Sequence, residues 1–309
     1  MKFNDRAALE LANTIVPLYE AKKSPFDVQS CETILPEGMK PKSKEHALYL
    51  FYAAIGNFAV DAEIFYGSTR KFYKTNSQYF KPQIIIEEFN EEADDFSEII
   101  RIVNEEKVTV SPELISVVKE NLGGRWWEIG KRWWNNSIEL EKYDNDPRNI
   151  FEEDDTIDSV FKKLDGKRHP KTKIQNGFRG MKQKIGNMFI NQYIDAGIAK
   201  VKDPENAKVP IDYHVINLTI ARGILTDFEN GIRDAKITDY LEKEYPRFYK
   251  EYDISALNFG KAIWQLGKYS CSYNNSNDAC PIEKCEKIID SSTYFTSGKI
   301  VIIDNPRGC

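Results

Sequence analysis

The sequence is poor in cysteine, histidine and methionine, with five, three and four of them in 309 residues. It also lacks long hydrophobic runs: no uninterrupted apolar stretch approaches the roughly 18–20 residues of a membrane span, which argues against a membrane partner. The opening stretch MKFNDRAALELANTIVPLYE is an amphipathic helical pattern broken by acids, not a signal peptide, so the expected compartment is the cytoplasm. Cysteines are too few for a disulfide framework. Three of the five, Cys271, Cys280 and Cys285, nevertheless crowd into fifteen residues, which in a reducing cytosol reads as metal ligation. Cys31 and Cys309 stand apart. Positive charge is scarce overall: the net charge of −5 is unfavourable for a nucleic-acid partner, which is usually gripped by several Lys and Arg contacts to phosphates. What is present in quantity is apolar residue, 41% against 29% charged, enough for a large core and without the composition of a disordered chain.

The distribution of charge says more than its sum. Acids concentrate between Ile86 and Glu98 and between Phe151 and Asp158. From Lys162 to Lys184, by contrast, the chain carries Lys162, Lys163, Lys167, Arg168, Lys171, Lys173, Arg179, Lys182 and Lys184, with Asp165 as its only acid. Such a run is either a solvated surface or a track for a phosphate backbone.

Apolar residues recur at three- and four-residue spacing along the chain, so the expected fold class is mainly α. The stretch from Ser43 to Tyr73 reads as one long buried helix or two in succession, with Ser43 as cap. Ser111 and Pro112 mark another start, and further helices are expected in RWWEIGKRWWNNSIELEKY, DDTIDSVFKKLDG, QKIGNMFINQYIDAGI, YHVINLTIARGIL, ITDYLEKEYPRFYKEY and SALNFGKAIWQLGKYS. Strand signal is confined to STYFTSGKIVIIDNP, a short C-terminal hairpin or tail. The pairs Trp126–Trp127 and Trp133–Trp134 lie seven residues apart. Each pair therefore repeats on one helix face, where core packing is a better reading than base stacking.

Two stretches carry a candidate chemistry. FRGMKQKIGNMFIN (178 to 191) is a glycine-bearing turn with lysines opening an apolar helix, and VPIDYHVINLTIARG places Asp212 at the head of another. An enzyme that removes a base from DNA must flip the nucleotide out of the stack and hold the backbone. A turn with close backbone approach suits the phosphates. A carboxylate suits the positive charge that develops on the sugar, and a lysine can attack the sugar carbon as a Schiff-base nucleophile.

The first stretch resembles the hairpin of the helix-hairpin-helix DNA glycosylase superfamily, which in endonuclease III-like members reads LPGVGRKTANVVLN. Phe178 falls on the leucine, Gly180 on the first glycine, Lys184 on the catalytic lysine, and Asn187 and Asn191 on the asparagines. The second resembles the family's VDTHIFRVCNR, with Asp212 on the catalytic aspartate and His214 on the histidine that follows. The separation of 28 residues between Lys184 and Asp212 is closer to archaeal 8-oxoguanine DNA glycosylases, which carry a comparable Pro-x-Asp segment. The resemblance covers roughly residues 110 to 290. It implies a two-lobed helical fold: 1–110 an N-terminal region with base-recognition helices, 111–225 the hairpin core with the catalytic residues, and 226–309 the C-terminal helices, cysteine loop and tail. It also implies a DNA glycosylase with lyase activity, acting as a monomer on double-stranded DNA. Lys184 and Asp212 would be catalytic, with Arg179, Gly180 and Lys182 on the DNA backbone.

The departures carry their own expectations. Lys182 replaces the second hairpin glycine, which would distort the turn, supply a phosphate contact, or make Lys182 a rival nucleophile. Lys184 heads an apolar helix, where desolvation would favour the reactive amine. Asp212 also has the ordinary role of a helix cap, and His214 reads as structural. The loop at Cys271, Cys280 and Cys285 sits where endonuclease III-like enzymes carry a four-cysteine [4Fe–4S] loop. Its C-x8-C-x4-C spacing leaves an iron–sulfur cluster, a zinc or other metal site, and a metal-free loop all open. Asn57 and Asp61, four residues apart, would share a helix face able to read a base edge, or serve as caps and solvated positions. A monofunctional glycosylase acting on a bulky modified base, as in defence against phage, and a catalytically inactive DNA-binding protein are the alternative functions.

Overall fold

The computed structural model describes residues 1–27, 30–57, 62–88, 116, 118–120, 122, 126–165, 167–168, 175–270, 291–296 and 299–304. The chain is mainly helical and divides into two compact units, a continuous one, Cys31–Pro204, and a discontinuous one made of Met1–Ser30 with Glu205–Cys309. In chain order, the discontinuous unit opens with β1 (Lys2–Phe3) and α1 (Asp5–Glu20). The continuous unit holds α2 (Lys44–Gly56), α3 (Ala62–Asn76), α4 (Pro82–Glu88), α5 (Trp126–Leu140), α6 (Ile157–Leu164), the strand pair β2 (Lys167–Arg168) and β3 (Gln175–Asn176), and α7 (Gln183–Asp195). The remainder of the discontinuous unit is α8 (Tyr213–Ala221), β4 (Leu225–Thr226), β5 (Ile232–Arg233), α9 (Asp234–Tyr252), α10 (Ala256–Gln265), β6 (Ser291–Thr296) and β7 (Lys299–Asp304). No helix among the described residues is long and apolar enough to cross a membrane.

The continuous unit is built around α2, in which every residue from His46 to Gly56 is buried. A helix that is apolar on all sides belongs at a centre rather than on a surface. Ser43 caps it, its hydroxyl accepting from the His46 amide at 3.1 Å. The helix stops at Asn57, so the long apolar stretch yields two helices. Gly56 is where they meet: a Cβ there would lie 2.5 Å from Cζ of Phe65 on α3. Trp133 of α5 is fully buried, and its indole N–H donates to the Tyr52 carbonyl at 3.1 Å. Trp134 is buried as well, so core packing holds for this pair, while the side chains of Trp126 and Trp127 lie outside the described residues. The expected helix start at Ser111 and Pro112 lies outside them too.

Helix α6 shows how the acidic and basic runs meet. Thr156 caps it, and the preceding Asp155 accepts from the Ser159 hydroxyl at 2.7 Å, the Glu152 amide at 2.8 Å and the Lys163 ammonium at 2.7 Å. Burial pushes the Asp155 carboxyl up, but these donors outweigh it and hold it below the usual range. Lys163 also pairs with Glu152 at 3.2 Å. Part of the basic run is therefore neutralised by the acids just before it.

In the discontinuous unit, β1 pairs with β4, and Phe3 packs its ring edge-on to Tyr245 of α9, with centroids 5.4 Å apart. Helix α1 is tied to α10 through Asn258, whose amide donates to Glu20 at 2.7 Å. Helix α9 buries Ile237, Leu241, Tyr245, Phe248 and Tyr249 along one stripe and continues past Pro246. The expected C-terminal hairpin is present as β6 and β7, with β5 added on the outer side of β7.

Candidate active site

The lysine-bearing turn is fixed through its backbone. Phe178, just after β3, is fully buried, and its amide donates to the Leu164 carbonyl at the end of α6 at 3.0 Å. Two residues on, Gly180 has φ +82°, a conformation in which a side chain is strained. Space is short there as well, because an added Cβ would lie 2.7 Å from the guanidinium carbon of Arg132. Between Phe178 and Gly180 stands Arg179, and Asn136 of α5 grips it on both sides. The Asn136 carbonyl oxygen accepts from the Arg179 amide at 2.6 Å, and its NH₂ donates to the Arg179 carbonyl at 3.0 Å. Asn136 is itself completely buried, so its two backbone bonds are shielded from competing water.

The side chains of the turn behave differently. Arg179 pairs with Glu128 at 3.6 Å, and Glu128 also accepts from Arg132 at 3.1 Å. Arg179 is thus engaged with its own fold. Lys182 precedes α7 with φ −85° and extended backbone, which any residue adopts, and the turn accepts it at the position where the resembled family has glycine. The Lys182 side chain makes no capping bond to α7, whose start carries the partial positive charge of a helix N-terminus. Lys182 and Lys184 are both exposed, so the burial expected around Lys184 at the head of its helix is absent. Downstream, Gly186 lets α7 press against α6: an added Cβ would lie 2.9 Å from Phe161. Asn187 and Asn191 are buried.

Asn57 closes α2 and donates to the sulfur of Met188 at 3.7 Å, which places it beside α7 one turn beyond Lys184. Because α2 ends at Gly56, a continuous helix face shared by residues 57 and 61 is interrupted at Asn57. Asp61 itself lies outside the described residues.

Asp212, in the discontinuous unit, is fixed through its side chain. It caps α8: Oδ1 accepts from the amides of His214 at 2.9 Å and Val215 at 3.1 Å. Its second oxygen is also taken, since Oδ2 accepts from the indole N–H of Trp264 at 2.9 Å. Three donors on an ionised carboxylate make strong, charge-assisted bonds, yet the residue stays half-exposed. Capping therefore occupies one oxygen of Asp212 and the indole of Trp264 the other. His214 is half-buried, its ring near those of Tyr213 and Trp264 at centroid distances of 4.9 and 6.2 Å.

No family model, curated protein or solved structure matches this chain.

The turn residues Arg179, Gly180, Lys182 and Lys184 are brought together in the continuous unit, while Asp212 and His214 belong to the discontinuous one. Cys271, Cys280, Cys285 and Cys309 lie outside the described residues, and Cys31 is buried in the continuous unit. Among the described residues no cluster of three or more His, Cys, Asp or Glu side chains could hold a metal. Trp264 and Asn136 were not found by sequence reasoning. Trp264 lies 52 residues from the aspartate it touches and Asn136 lies 43 residues from the turn it grips, distances at which spacing patterns carry no signal.

Proposed function

We propose that the chain is a DNA glycosylase with a two-lobed helix-hairpin-helix fold, acting as a monomer on double-stranded DNA in the cytoplasm. It would flip a damaged or modified base from the stack and break the bond to its sugar. The observation that carries this reading is the Asp212 carboxylate, held by three N–H donors at a helix start while remaining half-exposed. A negative charge oriented before the reaction stabilises a cationic sugar without paying for reorganisation, an effect worth roughly 2.7–4 kcal/mol for one preorganised group. The turn at Gly180 supports the second requirement, a rigid backbone with cations beside it for phosphates. In this reading Lys182, Gly180 and the start of α7 meet the DNA backbone, and Arg179 stiffens the turn through Glu128.

Lys184 would supply the amine that forms a Schiff base with the sugar and permits strand nicking. Its exposure leaves it reachable. The same exposure favours a second reading, in which water is the attacking group, Asp212 orients it, and the enzyme releases a bulky modified base without nicking. Cys271, Cys280 and Cys285 would hold a [4Fe–4S] cluster with a fourth ligand from elsewhere, hold zinc, or form a metal-free loop, outside the chemistry in each case.

The test is a panel of duplexes with oxidised, alkylated and hypermodified bases, read by mass spectrometry of released bases and by borohydride trapping. We expect release from at least one duplex, slowed about 10²–10³-fold in Asp212→Asn, and a trapped complex that disappears in Lys184→Ala. Release without trapping selects the water-using enzyme. Tight binding with no release from any duplex rejects both and leaves a DNA-binding protein, whereas release unaffected by Asp212→Asn rejects the mechanism built on that carboxylate.

A further inference from the structure

A helix cap needs only one carboxylate oxygen, and at Asp212 Oδ1 alone receives both amides of the first turn. The bond from Trp264 to Oδ2 therefore serves no capping purpose, and the chain goes to some length to make it. Helix α10 and the turn that follows it must lie close against the segment that carries Asp212, and one glycine in each allows this. At Gly260 a Cβ would come within 2.7 Å of Val209, three residues before the aspartate, and at Gly267 within 2.6 Å of the His214 carbonyl oxygen, two residues after it. Trp264 sits between these two close approaches. Directly after α10 the chain widens into a π-helical turn, Leu266–Ser270, a departure from α geometry often seen at functional sites. That turn carries Lys268, buried, with its ammonium 5.2 Å from the centroid of the Trp264 ring. A cation on the face of an indole draws electron density from the ring and makes its N–H a better donor.

We propose that Trp264 is a positioning residue for Asp212: its indole N–H fixes the plane of the carboxylate so that the charge faces the sugar of an extruded nucleotide. The proposal rests on the glycosylase reading and goes beyond it by assigning the orientation of the catalytic charge to a residue from another helix. Without the indole N–H, the carboxylate stays bonded at Oδ1 to the head of α8 but turns about that attachment. The helix survives; the alignment does not.

Two measurements test this, one of them independent of activity. The indole ¹H–¹⁵N resonance of Trp264, assigned by its disappearance in Trp264→Phe, should move in Asp212→Ala. If it stays in place the bond is absent in solution and the proposal falls. For the second, Trp264 is replaced by benzothienylalanine, which keeps the bicyclic ring and substitutes sulfur for the N–H, with Trp264→Phe as companion. Single-turnover base release should fall about 10- to 100-fold while the DNA dissociation constant and Tm stay close to the parent's, a split that a merely structural tryptophan would not produce. Unchanged release in the benzothienyl variant overturns the proposal. Should the parent release no base from any duplex, the glycosylase reading is what fails, and the indole resonance alone then decides whether Trp264 orients Asp212.

Discussion

The turn before α7 and the head of α8 hold their functional groups by opposite means. At the turn the backbone is gripped, by Asn136 on both sides of Arg179, while Lys182 and Lys184 are left exposed. At Asp212 the side chain is gripped, with an amide pair on one oxygen and an indole on the other. The difference matches two kinds of task. A surface that follows a phosphate backbone profits from fixed amides and adjustable cations, since salt-like contacts tolerate variation in distance. A charge that must face one developing cation profits from immobility. Of the groups proposed for catalysis, the carboxylate is therefore the better supported.

The comparison can be broken most forcefully at Asn136. Asn136→Ala removes both partners from the Arg179 backbone in a fully buried setting, and stranded buried amides and carbonyls cost about 1–3 kcal/mol each. We expect a loss of roughly 2–4 kcal/mol in urea melts, together with weaker DNA binding as the turn loosens. The matching change in the discontinuous unit is Gly267→Ala, where the new methyl meets the His214 carbonyl. Overpacking against backbone costs about 1–3 kcal/mol, and any base release should drop with stability because α10 carries Trp264. If Gly267→Ala is neutral in both, the close approach of the turn after α10 is not what holds Asp212.

Acid sharpens the comparison less strongly. His46 of the continuous unit is buried, and burial lowers its pKa below the usual value. Its neutral Nδ1 accepts from the Lys42 amide at 3.0 Å. The unfolded chain takes up the proton at higher pH than the folded one, so stability is full above about 6.5 and declines as the pH falls below it. His46→Gln should flatten that decline, read as Tm against pH between about 7 and 5. The smallest effect is expected for Lys182→Ala. An exposed residue in extended backbone should change stability by under about 0.5 kcal/mol, yet reduce the slope of log affinity against log salt by about one if it meets a phosphate. A change in stability larger than that would show that the cation is part of the fold.

Much of this architecture is legible in the residues. Ser43 and Asp212 announce the starts of their helices because capping is a local bond between a side chain and amides two or three positions away. The C-terminal hairpin and the burial of Trp133 follow from periodicities within a few turns. The break at Asn57 was less legible: the apolar pattern runs on past it, and only the packing of Phe65 against Gly56 reveals the corner. The surroundings of Lys184 differ from the sequence expectation for a similar reason. It precedes an apolar sequence, but Ile185, Phe189 and Ile190 turn into the core and leave it on the exposed side, since a helix separates neighbours in sequence by about 100° of rotation.

By itself, then, the sequence determined the helical class, the capped helix starts, the glycine turn and the identity of the charged groups that chemistry on DNA would use. Those are written in bonds between residues a few positions apart. The tertiary structure alone decided that the N-terminal helix joins the C-terminal unit, that Asn136 grips the backbone of Arg179 in the turn, and that an indole bonds the second oxygen of Asp212. Each of these joins distant parts of the chain, where one residue's partner is chosen by packing and the spacing along the sequence carries no trace of it.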